Sequence, residues 1–155
     1  MVTQIRKTDE INLSAPMARL ENICKSCDLL NTEDCKESGC LVGFSKKVLR
    51  FALQKGVLDI PGASGLIPSS DFKPYYSDTV APVLAETCRQ CKECRDNHSP
   101  DCVVALVRSA MELTVLPEAV PYPGSIFMYL AGIKSRDPQL AAKLADELQK
   151  GGKQR

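Results

Sequence analysis

The sequence predicts an all-α fold: two helix–cysteine-loop–helix repeats related by a pseudo-twofold, followed by a C-terminal helical hairpin. Three observations predict it. CKSCDLLNTEDC at 24–35 and CKECRDNHSPDC at 91–102 share the pattern C-K-x-C-x7-C, with Asp before the last cysteine of both. Each is preceded by Ala-Pro and a helix-like run, SAPMARLENIC in the first and VAPVLAETCRQC in the second. Each is followed by a segment whose apolar residues recur at spacings of three and four. On this reading the 155 residues form one domain: repeat one over 12–56, a connection over 57–76, repeat two over 77–116 and C-terminal helices over 125–150.

The elements follow in order. Ser14 is placed to cap the first helix, with Pro16 in its opening turn. After the first cysteine loop, Leu41, Phe44, Val48 and Phe51 form one apolar face. Lys46, Lys47 and Arg50 take the other, solvated face, and Gly56 stops the helix. GVLDIPGASGLIPSSDFKPYYS lacks helical period and reads as a connection packed over the surface through Ile60, Leu66, Ile67, Phe72 and two tyrosines. Ser77 or Asp78 opens the helix of repeat two, with Pro82 further in. Beyond the second loop, Val103, Leu106, Val107, Ala110 and Leu113 form the apolar stripe and Pro117 bounds it. SIFMYLAGI is a short apolar helix; Asp137-Pro138 starts a last one with Leu140, Leu144 and Leu148 in line, and the tail GGKQR frays.

Composition narrows the function. A 44% hydrophobic and 25% charged chain is ordinary for a globular protein, while 5% aromatics and no Trp leave a core of aliphatic side chains that cross-links would help. A net charge of +1 gives no general attraction to nucleic acid or anionic membrane. The opening MVTQIRKTDEINLS lacks a signal peptide's apolar run, and no stretch approaches the roughly 18–20 apolar residues of a membrane helix. A cytoplasmic location is therefore expected, where eight clustered cysteines read as metal ligands rather than disulfides.

The cysteines fall into two groups of four: Cys24, Cys27, Cys35 and Cys40, then Cys88, Cys91, Cys94 and Cys102. All eight are candidate ligands, either of two 4Fe–4S clusters or, alternatively, of two zinc ions. The x2 spacing lets two sulfurs converge from a tight turn. Thr32 and Ser99 are placed to cap the following helices, which puts Cys35 and Cys102 in first turns, where the positive dipole end favours thiolate. Lys25 and Lys92, inside each C-x2-C, offset negative charge. His98 is a fifth candidate in the second loop, aligned with Asn31 and read as a polar turn residue; Glu21 aligns with Cys88. Two local sites, or eight cysteines lining one interface, both fit the spacing.

Over seven residues, Cys88-x2-Cys91-x2-Cys94 resembles the opening of a bacterial-ferredoxin iron–sulfur motif, without its closing x3-Cys-Pro. The half-motif C-x2-C-x7-C also resembles each half of the fungal binuclear zinc cluster, without the basic helix between halves. No phosphate-binding loop, zinc-protease helix or Ser–His–Asp set is present, so catalysis in its own right is not expected. The expected role is an iron–sulfur protein in electron transfer, or a cluster carrier or accessory factor. Its expected partner is a redox enzyme or cluster-receiving protein, with Cys40, after Gly39, as a mobile ligand suited to release. The competing classes are a zinc-stabilised helical adaptor and a thiol redox sensor.

Overall fold

A computed structural model describes residues 13–27, 32–33, 35, 39–69, 71, 75–93, 101–120 and 125–153, with backbone alone for 91–93 and 151–153. Among them are α1 (Ser14–Lys25), α2 (Leu41–Lys55), a 3-10 turn (Ala63–Leu66), α3 (Ser77–Glu93), α4 (Val103–Val115), α5 (Ile126–Arg136) and α6 (Pro138–Lys153), and no strand is formed. The all-helical expectation holds. The expectations for Asn31, Phe72, Cys94, His98 and Ser99, and for the side chains of Cys91 and Lys92, lie outside the described residues.

Helix ends follow their local chemistry, with small shifts from the expected positions. Leu13 already has helical backbone angles and accepts from the Met17 N–H, so Ser14 sits inside the first turn of α1 rather than capping it. Gly56 ends α2 at φ 68°, a left-handed conformation that costs glycine little, and its N–H donates to Ala52. Asp137 both ends α5, through its N–H to Ile133, and starts α6, through its carboxylate to the Leu140 N–H at 3.1 Å. Pro138 follows at the first helical position, where its missing N–H leaves no bond unmade.

Packing corrects two faces. The buried side of α2 is Leu41, Phe44, Val48, Leu49 and Ala52, while Phe51 is turned toward solvent. In the connection Leu58 and Ala63 are buried, Ile60, Ile67 and Tyr75 pack against the core, and Leu66 is exposed. α3 packs on α1, α4 and α6, and α4 is packed by both α2 and α3, so the flanks of α4 are buried as well as its stripe. α1 lies on α2 and α3, and the hairpin α5–α6 packs onto α3 through α6.

Burying α4 on all sides brings in two charged residues the stripe did not forecast, Arg108 and Glu112. Glu112 is 0% exposed; its carboxylate accepts from the Tyr129 hydroxyl of α5 and from the Val120 N–H at 2.9 Å, and Arg108 Nε lies 4.0 Å away. These partners satisfy both oxygens and tie α4 to α5 and to the chain between them. Burial raises the Glu112 pKa, opposed by the Tyr129 and Val120 hydrogen bonds and by Arg108.

The sign of that shift gives a pH dependence. A carboxyl whose folded pKa is raised binds more protons in the native state than in the unfolded chain. Stability then falls as pH rises from the unfolded value, about 4.3, through the folded pKa, and is level above it. Urea unfolding at a series of pH values should show Glu112→Gln flattening this fall. Glu112→Ala should cost about 3 kcal/mol at neutral pH, because Arg108 and Tyr129 lose a buried partner.

Candidate metal centres

The first loop leaves α1 and enters α2, and three of its thiols gather at that junction. Cys24 lies in the last turn of α1, and the Cys27 N–H donates to the Cys24 carbonyl at 3.0 Å, so this C-x2-C is the tight turn its spacing predicts. Cys40 is the N-cap of α2. Its backbone is extended, and its sulfur accepts from the Gly43 N–H at 3.3 Å. The charges of Cys40 and Cys27 both act on Cys24. Burial is the largest influence on Cys24 and raises its pKa, while Lys46, whose Nζ is 3.5 Å from the sulfur, pulls the other way.

Two expectations change here. Thr32 does not cap α2 and Cys35 is not in its first turn: Cys35 is exposed, in a local turn with its N–H on the Thr32 carbonyl at 3.1 Å. The helix starts later because Cys40 supplies the capping sulfur and Asp71 accepts the Leu41 N–H at 2.8 Å. Nor is Cys40 a loose ligand, since Tyr75 O–H lies 3.6 Å from its sulfur and donates to Asp71 at 2.5 Å. Burial, then the Asp71 hydrogen bond and the Cys40 contact, holds the Tyr75 pKa far above the usual tyrosine range, so the hydroxyl keeps its proton. Lys25 and Glu21 are exposed; Lys46, read from sequence as solvated, is the cation that reaches a thiol.

The second group is arranged differently. Cys88 and Cys91 lie within α3, three positions apart and so on one face of a continuous helix rather than on a turn. Cys88 is buried in the core, near enough to Tyr129 that its charge helps raise that hydroxyl's pKa, after burial and Glu112. Cys102 is the N-cap of α4, nearly buried, with extended backbone and no side-chain capping bond. Asp101, the residue before it, fixes its surroundings: its carboxylate accepts from the Gly62 and Ser64 N–H groups, each at 3.0 Å. These donors, Gly62 first, lower the Asp101 pKa.

The two groups stand at opposite ends of the helices. Residues following α2 run antiparallel to those entering α4: Val103 N–H donates to Leu58 at 2.7 Å, Ile60 N–H donates to Asp101 at 3.0 Å, and Asp59 bridges Cys102. The C-terminal end of α2 therefore meets Cys102, while Cys40 is at its N-terminal end. Fifteen residues of α2, at about 1.5 Å each, separate them by on the order of 20 Å. α3 gives the same answer: Tyr75, just before it, touches Cys40, and Cys91 lies near its far end. Among the described residues, no three Cys, His, Asp or Glu side chains close on one ion-sized point.

No protein-family model, curated protein or solved structure matches the chain. The sequence reading missed Asp71, Tyr75 and Lys46 as neighbours of the first thiols. Lys46 carries a readable signal, its place one to two turns after the Cys40 cap, whereas Asp71 and Tyr75 are brought in by a connection without period.

The separation predicts independent loading. In anaerobic metal titrations, Cys40→Ser should remove uptake by the first group and leave the second, and Cys102→Ser should do the reverse. Loss of all metal from either single variant would instead point to one shared centre.

Proposed function

We propose that the chain is an iron–sulfur cluster-binding protein, acting in electron transfer or as a cluster carrier or accessory factor for a larger redox enzyme. The observation that carries this reading is the junction of α1 and α2, where Cys24 and Cys27 share a tight turn at the end of α1 and Cys40 caps the start of α2. An N–H, a phenol and a lysine ammonium surround their sulfurs. Thiolate-only donors select zinc or iron–sulfur centres over hard cations. A bound cluster supplies one-electron chemistry. The protein's own part is to orient the thiols, offset their charge through Lys46 and present N–H and O–H donors to sulfur.

The reading includes two 4Fe–4S clusters, one per cysteine group, in two duplicated halves related by a pseudo-twofold. Its support is the packing of α1 on α3 and of α2 on α4. At about a helix length apart the two centres are not neighbours, so each meets its partner at its own pole. Among the described cysteines, Cys35 is exposed, Cys24, Cys27 and Cys40 are half-buried, and Cys88 and Cys102 are buried. Among the described residues no helix is long and apolar enough to cross a membrane. A reducing cytoplasm and a protein partner complete the proposal.

Anaerobic purification followed by iron, zinc and acid-labile sulfide analysis tests it. The expected product is brown, contains iron and sulfide, and bleaches with dithionite. Colourless protein with zinc and no sulfide would replace this reading with the zinc-stabilised helical adaptor.

A further inference from the structure

The polar groups around Cys40 form a connected set contributed by two separate parts of the chain, the start of α2 and the connection. Asp71, in the connection, accepts the Leu41 N–H at 2.8 Å and the Tyr75 hydroxyl at 2.5 Å through the same oxygen. The phenol oxygen is 3.6 Å from the Cys40 sulfur, which also accepts the Gly43 N–H. The Tyr75 ring is half-buried and packed on the core, so the hydroxyl is held in place from behind as well as by Asp71. At the other pole Cys102 occupies the same cap position without a side-chain capping bond.

A phenol has one proton and must choose between two acceptors. While Cys40 is a thiol, its S–H donates to the phenol oxygen and the phenol donates to Asp71. A sulfur that binds metal has released its proton to solvent and can only accept. Rotation of the hydroxyl about its C–O bond then redirects the same proton from Asp71 to sulfur; the phenol and carboxylate oxygens, 2.5 Å apart while the proton lies between them, draw apart, and Asp71 keeps the Leu41 N–H.

We propose that Tyr75, positioned by Asp71, is the outer-shell hydrogen-bond donor to the Cys40 sulfur of the first centre. The assignment rests on reading the first cysteine group as a metal–thiolate centre. Donors to ligating sulfur stabilise the anionic centre and tune it, and losing such a partner typically weakens metal binding by about 10–100-fold.

The test is an anaerobic titration of the full-length chain with cobalt(II) alone, under chelator competition. Its readouts are the thiolate-to-cobalt charge-transfer band and helical circular dichroism. Tyr75→Phe keeps the ring and removes only the hydroxyl. It should weaken one class of site by about tenfold or more, shift that class's band and leave helix content unchanged. The affected class should be the one that Cys40→Ser abolishes. Wild-type affinity and an unshifted band in Tyr75→Phe would overturn the donor role alone. No thiolate–cobalt band in the wild-type protein would overturn the role together with the centre it serves.

Discussion

The hydrogen bonds that lay Leu58–Ile60 along Asp101–Val103 set the direction of the remaining structure. They are few, but they join the residues leaving α2 to the residues entering α4, and Asp101 locks the join by holding Gly62 and Ser64. With that end fixed, α2 can pack on α4 only by running away from Cys102, and Cys40 is carried to the far end. The cysteine groups are alike in sequence because each bridges a helix end to the next helix start. They are remote in space because the join sets those bridges at opposite ends.

The helices themselves were readable. Gly56, Pro117, Asp137-Pro138 and the apolar spacing of α4 act locally, through backbone sterics, capping and periodicity, and each element appears where these place it. What the period could not resolve was how completely α4 is enclosed. An amphipathic stripe implies one wet face, yet packing by both α2 and α3 leaves Arg108 and Glu112 buried, and the compensation comes from Tyr129 and Val120, distant along the chain. Such pairings depend on tertiary placement, which no local pattern encodes.

The candidate site was legible to a similar depth. Cysteine spacing picked out the thiols and the turn at Cys24–Cys27, because an x2 spacing is a local geometry. The start of α2 was misjudged: a hydroxyl at Thr32 fits the usual capping pattern, while the cap in the fold is a sulfur assisted by Asp71 from across the chain. The same pattern, C-x2-C, also takes two forms here, a turn at Cys24–Cys27 and a continuous helix at Cys88–Cys91. Equal spacing therefore does not imply equal local geometry.

We propose two self-contained thiolate centres about a helix length apart. Electron paramagnetic resonance of the dithionite-reduced, iron- and sulfide-loaded protein tests it most directly, since nearby paramagnets split and broaden each other's signals. Two separable spectra without mutual broadening, one of them lost in Cys40→Ser, are the predicted result. A single strongly coupled spectrum, or one that disappears entirely on that substitution, would contradict it.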